Sequence, residues 1–483
     1  MHRRRSLVFL LAVAVFAVST GCGRLRSAPT EANLERAMLS GDWQRVMGIA
    51  KSWHEHYPID VVPAFLLWEA TFRLGDIDGY SRARHLLDGV GQASFLAVQP
   101  LGHWARALTA RHPDSAVAWQ VAAQALWRSE SHDDAMAAAS TAVRLGPKDW
   151  ASWEIRSGVR MNEGDYAGAE ADLYRATALG PDSALLRVLR SIAYCALKRY
   201  DQALSEANKA VEMAPQAAST YAARGHCYVL MGQPRRAMAD LSHAIELDPE
   251  ETSVYGLRSE AYQALGDYGS ALADKSEEVR LLPYALEPRT DRAELLDKTG
   301  DHQGAAGEYR DVLSRLDGAR EAKAYDLRAR AHAGLGQLSQ EQADLTELIR
   351  LEPRPAEAYA RRLQVDASLG DLAQAVEDAT HYIDLRPDAP KGYSARGALY
   401  LALGDYRRAL ADSTHIIETD RGVQAVGAYC SRGVAYEMEG EKDLAKRDFD
   451  EAERRAPGRT HRVVEEDRQY VLRLRTLAKA RSR

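Results

Sequence analysis

The chain has 483 residues, 46% hydrophobic and 27% charged, a balance that excludes a disordered, collagen-like or multi-span membrane chain. Its formal charge of −6 has the wrong sign for a general nucleic-acid binder, and its four cysteines, with no CxxC pair, exclude a zinc ribbon, a redox motif and a disulfide framework. At about 150 residues per domain the length alone suggests three compact domains, and 22 tyrosines against 6 phenylalanines suggest rings that are half buried with a hydroxyl at an edge.

The chain opens on His2-Arg3-Arg4-Arg5, followed by an apolar run from Leu7 to Val18. That run is too short to span a bilayer as a helix and right for a signal-peptide core. It ends in Val18-Ser19-Thr20-Gly21-Cys22, which resembles the lipobox of bacterial lipoproteins, with Ser19 where Leu is usual. The resemblance implies that residues 1–21 are a signal peptide, that Cys22 is lipidated as the new N-terminus, and that 22–29 form a short linker. Gly23, in place of Asp after the Cys, implies the outer membrane of a two-membraned bacterium, with the protein facing the periplasm.

In residues 30–115, Gly41-Asp42-Trp43 and Gly75-Asp76-Ile77 stand 34 apart, and Pro58 falls where such a unit would end. This stretch is expected to be helical, with irregular repeats. The same interval then becomes strict. Pro147, Pro181, Pro215, Pro249 and Pro283 are each 34 apart, and Gly232, Gly266 and Gly300 keep the same clock. Ten units start at residues 116, 150, 184, 218, 252, 286, 322, 356, 390 and 426 and fill 116–459. Position 8 of the unit is small in nine of ten, position 20 is Ala in nine, and position 32 is Pro in eight.

This pattern resembles the tetratricopeptide repeat, two helices per 34 residues. The physics agrees: small residues at 8 and 20 let antiparallel helices A and B approach closely, Gly at 15 closes helix A, and Pro at 32 ends helix B. The resemblance implies an all-α fold, a right-handed superhelical solenoid of antiparallel helix pairs. Asp317 and Arg421 replace the Pro and their linkers are two residues longer, so altered stacking is expected at those joints. Residues 460–483 form a basic capping helix whose stripe of Val463, Tyr470, Val471, Leu474 and Leu477 suits the last exposed face. The ten basic residues against three acids in 454–483 fit the polar outside of such a cap, or a contact with anionic lipid or an acidic partner.

Position 7, usually Leu in this family, is Arg in nine units, and position 23 is acidic in the same nine. Helices turning at 15–17 put 7 and 23 at similar heights, so the two are expected to face one another as a register device. Cys195 and Cys227 fall at positions 12 and 10 of adjacent units, on different helical faces, so no disulfide is expected between them; Cys430 reads as a buried or groove thiol.

No motif for chemistry stands out. His54-Glu55-His56 is not a metalloprotease motif, because its histidines cannot share a helical face, and Gly89-Val90-Gly91 lacks the third glycine of a dinucleotide loop. No catalytic residue, cofactor, metal, nucleic acid or small-molecule substrate is assigned. In the family, helix A positions 2, 5, 9, 12 and 13 line a concave groove for protein or peptide partners. Carried over, they give an apolar set, Val188, Ile192, His226, Val229 and Leu230, and a polar, largely acidic one, Glu260, Gln263, Glu287, Glu294 and Asp297. The implied function is an envelope-anchored adaptor that helps assemble a pilus, secretion or outer-membrane complex. The alternatives are a hydrolase using Glu260 and Glu294, or a cytoplasmic regulatory repeat protein whose first helix merely resembles a signal.

Overall fold

The computed structural model describes residues 28–56, 65–66, 70, 95–129, 131–352, 355–419 and 423–481. Cys22, Pro58 and Gly75, with the expectations attached to them, lie outside the described residues. Two compact units divide between Pro288 and Arg289. All the regular structure among the described residues is α-helical.

In the first unit, α1 (Ala28–Leu39) and α2 (Trp43–His56) are joined by a turn at Gly41, and α3 (Phe95–Arg111) leads into the regular array. The helix pairs of the array are α4 (Ala116–Arg128) with α5 (His132–Leu145), α6 (Trp150–Asn162) with α7 (Tyr166–Leu179), α8 (Ala184–Ala196) with α9 (Tyr200–Met213), α10 (Ala218–Leu230) with α11 (Pro234–Leu247), and α12 (Thr252–Ala264) with α13 (Tyr268–Leu281). Next come α14 (Leu286–Thr299) and α15 (His302–Arg315). The second unit continues with α16 (Ala322–Gly334) and α17 (Leu338–Leu351), α18 (Ala356–Ser368) and α19 (Leu372–Leu385), α20 (Pro390–Leu403) and α21 (Tyr406–Thr419), and α22 (Val423–Glu439) and α23 (Lys442–Arg455). It ends with α24 (Thr460–Arg481).

The turn chemistry recurs because each A–B turn solves the same problem. Position 15 needs a left-handed residue, and Gly266 (φ 78°) and Gly404 (φ 84°) supply it, while Lys198 (φ 60°) adopts it without glycine's freedom. One residue later an Asp caps helix B: Asp165, Asp267, Asp301 and Asp371 each accept from the amide three residues on. Between the helices the alanines of position 20, from Ala135 to Ala305, are fully buried. Gly225 gives way to Leu241 in the same manner, since a Cβ there would lie 2.7 Å from the leucine side chain.

The Arg–acid pairs face one another within a repeat. Arg156–Asp172, Arg224–Asp240, Arg258–Asp274 and Arg362–Asp378 each close at 2.7 Å, Arg396–Asp412 at 2.8 Å and Arg432–Asp448 at 2.7 Å, and Arg292–Glu308 and Arg328–Asp344 also pair. Most are two-pronged, as in Arg258 Nε to Asp274 Oδ2 and Nη2 to Oδ1. The third guanidinium nitrogen often reaches back to position 25 of the preceding repeat: Asn208 for Arg224, Ser242 for Arg258, Thr346 for Arg362 and Thr380 for Arg396. The ladder therefore ties helix A to helix B and, at these repeats, ties one repeat to the one before.

The two long joints differ in this respect. Arg328 follows a repeat with Arg310 at position 25, and its Nη1 instead bonds the Ala319 carbonyl in the lengthened linker. Arg432 keeps the usual bond, to Thr414, across its own long joint.

Cys195 and Cys227 form a disulfide with Cα atoms 6.0 Å apart, contrary to the sequence expectation. The A helices of successive repeats pack directly on one another, α8 on α10 among them, so faces that diverge on one helix converge between two. Cys430 is buried, which pushes its thiol up to about 11. Helix α24 also departs from expectation. Val464, Val471 and Leu474 are its buried apolar residues, Tyr470 stays 45% exposed, and the helix crosses the A helices α18, α20 and α22 with only slight contact to α23, the B helix of the final pair.

Candidate binding face of the A helices

Because A helices of successive repeats contact one another, each unit presents an A-helix face on which positions 2, 5, 9, 12 and 13 recur. In the first unit Val188 is buried against Ala210 and Ala223 with Ile192 packed beside it, so position 5 there serves the core. His226 and Val229 are half buried, and Leu230 is 44% exposed. Burial lowers the His226 pKa, which keeps its ring neutral at pH 7. Glu260 and Glu287 are exposed and Gln263 is half buried.

The second unit holds the other two acids, and both are engaged. Arg330 donates Nε to Glu294 Oε1 at 2.8 Å and Nη2 to Asp291 Oδ1 at 2.5 Å. Burial works against the Arg330 charge, but the Asp291 hydrogen bond and the two carboxylates outweigh it and raise the guanidinium pKa. Asp297 accepts from the Tyr309 hydroxyl at 3.2 Å and lies 3.0 Å from His302 Nδ1. Burial, reinforced by Asp297, raises the Tyr309 pKa. Arg361 pairs with Asp326 across the next joint at 2.5 Å. Glu294 is thus paired with Arg330, and Asp297 is hydrogen-bonded to Tyr309, which corrects the reading of Glu294 and Asp297 as an open acidic stretch. Arg330 sits at position 9 of its own repeat, directly after Glu294 at position 9 of the preceding one, so equal positions meet across a joint.

Asp366 is a feature the sequence reading missed. It stands at position 11, where five repeats carry Tyr, and is fully buried. Burial pushes its carboxyl up to about 6, although Gln342 Nε2 hydrogen-bonds one oxygen. Among the described residues no group of three or more His, Cys, Asp or Glu could hold a metal ion, and no helix is long and apolar enough to cross a membrane.

Family profiles described as tetratricopeptide repeat match residues 103–149 and 159–218, and a further one matches 218–251. Residues 103–251 carry tetratricopeptide repeats. Such repeats generally serve as protein-interaction scaffolds, and the all-α helix pairs of both units have this architecture. No curated protein matches the sequence significantly. Among solved structures, a tetratricopeptide repeat protein from Parabacteroides merdae is 17% identical, covering 53% of this chain and 98% of its own, with a TM-score of 0.39. A thermophilic repeat protein from Thermus thermophilus is 24% identical, over 36% of this chain and 95% of its own, at TM-score 0.34. PilW, a type IV pilus biogenesis factor, is 17% identical, over 42% and 94%, at TM-score 0.37.

Proposed function

We propose that this protein is a lipid-anchored tetratricopeptide adaptor of the bacterial envelope, which binds a protein segment on the A-helix face of its first unit and assists assembly of a pilus, secretion or outer-membrane complex. The observation that carries the binding reading is the apolar strip of Val229 and Leu230 beside a neutral His226, with Leu230 left 44% exposed on a scaffold face. Glu260 and Glu287 are the nearby exposed acids in sequence, so the partner segment carries hydrophobic anchors next to Lys or Arg. The anchor reading rests on the lipobox-like run ending at Cys22, and the Cys195–Cys227 disulfide fits an oxidising compartment outside the cytoplasm. Membrane attachment then raises local concentration near an assembly site.

The test has two arms. A photo-crosslinking residue at Val229 should capture one stoichiometric partner, while the same residue at Tyr174, 68% exposed on helix B, should not. Cys22→Ser should release the protein from membranes and abolish lipid labelling. Equal capture at both positions overturns the groove, and unchanged membrane association overturns the anchor.

A further inference from the structure

Helix α24 has 22 residues and so is about 33 Å long, enough to cross three repeats spaced about 10 Å apart. It lies on α18, α20 and α22, with only slight contact to α23, the B helix it follows. A terminal cap that continued the array would pack on both helices of the last pair. The residues it meets instead belong to the A-helix face: Leu401 and Ala402 at positions 12 and 13 of one repeat, and Glu437 and Met438 at the same positions of the next.

The seat is shaped for this helix. Arg475 donates Nη2 to the Leu401 carbonyl at 2.8 Å and Nε to the Ala402 carbonyl at 3.2 Å, at the negative end of α20. Arg468 forks onto Glu437, with Nε and Nη2 at 3.0 and 2.6 Å from Oε2, and Ser431 donates to Asp467 at 2.8 Å. Arg481 pairs with Asp371 at 2.7 Å. Gly370 shows the fit best. A Cβ there would lie 2.5 Å from the Leu477 carbonyl, whereas the equivalent turn glycines Gly336 and Gly404 have nothing within 4 Å.

The hold is nevertheless light. Val464, Val471 and Leu474 enter the core with Leu399, Leu401 and Val434, while Tyr470 and Leu472 remain 45% and 57% exposed. The pairs Arg468–Glu437 and Arg481–Asp371 are part exposed, so each is weak and screened by salt. The connection from α23 is only Ala456–Arg459, with Gly458 in the left-handed conformation as a pivot.

We propose that the A-helix face of the last three repeats is a binding site for a basic amphipathic helix, and that α24 is its built-in ligand, held in place by the tether and displaced when a partner presents a helix of the same pattern. This site is separate from the one proposed in the first unit and does not depend on it.

The probe is a fluorescent peptide of residues 460–481, added to the full chain. A tether of a few residues gives the attached helix an effective concentration in the millimolar range, so the wild-type protein should bind the peptide poorly. Val471→Asp combined with Leu474→Asp undocks α24 in the full chain, and peptide affinity should rise at least about tenfold. Arg475→Ala alone should give a smaller gain in the same direction. Adding Glu437→Arg should weaken binding again, and an Arg468→Glu peptide should restore it. Equal binding to wild type and undocked chain, no binding to an undocked chain whose repeats stay helical, or melting of the last three repeats on undocking would each overturn the proposal.

Discussion

The Arg258–Asp274 rung lends itself to a double-mutant cycle. The two side chains are 19% and 7% exposed, and they share two charge-assisted hydrogen bonds at 2.9 and 2.7 Å. The Asp274 hydrogen bond is the main reason the Arg258 pKa is raised, against the opposing effect of burial. Bonds of this kind contribute about 1.5–3 kcal/mol each, net of exchange with water, and losing one partner of a fully buried pair costs about 3–5 kcal/mol. Residual exposure lowers that figure. Asp274→Ala leaves a guanidinium that keeps Ser242 at 3.3 Å and can draw in water, so about 2–3 kcal/mol is expected. Arg258→Ala strands a nearly dry carboxylate and should cost more, about 3–4 kcal/mol. The double variant should recover about 2 kcal/mol of coupling. Because long repeat arrays depart from two-state unfolding, amide exchange across α12 and α13 should be read beside urea melts. The exposed Arg280–Glu277 pair on α13 is the control, with no resolvable coupling expected. Coupling below about 0.5 kcal/mol at Arg258–Asp274, or equality with the control, would refute the view that the ladder sets the register of each helix pair.

Two further outcomes follow from buried groups. The Cys195–Cys227 bridge closes a loop of 32 residues in sequence separation, for which chain entropy gives about 3–4 kcal/mol; the Cys195→Ser, Cys227→Ser pair should lose that stability in α8–α10, and thiol titration of the unfolded, non-reduced protein should find neither cysteine free. Asp366 ionises near 3.8 when unfolded and near 6 when folded, so between these values the folded state holds the extra proton and stability falls as pH rises through the window. Asp366→Asn should therefore stabilise the second unit by about 1–2 kcal/mol at pH 7.5 and give no gain at pH 4 in denaturant melts; an equal gain at both pH values would show that the carboxylate charge is not the cause.

What the sequence made legible is what the repeat states many times over. Gly266, Asp267 and Ala271 form one turn that recurs at the same interval, so its meaning is averaged over copies, and the Arg–acid rungs are read in the same way. What escaped belongs to single repeats or to contacts between helices. Glu294 and Arg330 share position 9, and only the packing of successive A helices reveals that equal positions meet and cancel. The same packing joins Cys195 to Cys227. The stripe on α24 said that Val471 and Leu474 would be buried, but an amphipathic pattern does not name the surface that buries it. Asp366 occurs in one repeat alone, at a position where five others carry Tyr, so no repetition marks it out.

The surplus of tyrosine over phenylalanine also follows from the ladder. The Arg258 guanidinium lies 5.9 Å from the ring centre of Tyr255 at position 4 and 6.0 Å from that of Tyr262 at position 11, and Arg396 sits likewise between Tyr393 and Tyr400. A phenylalanine would offer the same π face to the cation. It would not offer a donor. Tyr255 gives its hydroxyl proton to the Pro249 carbonyl at 3.0 Å, and Trp153, at position 4 of its own repeat, gives its indole N–H to the Pro147 carbonyl at 3.0 Å. Each of these prolines ends a preceding B helix and leaves a carbonyl beside the joint. The rings of Trp153 and Tyr255 thus have two tasks, to cover the Arg of their own repeat and to bond the last turn of the repeat before, and of the aromatic residues Tyr and Trp can do both. The polar groups that the half-buried rings were expected to hold at an edge are, at Tyr255 and Trp153, bonded into the joints between repeats.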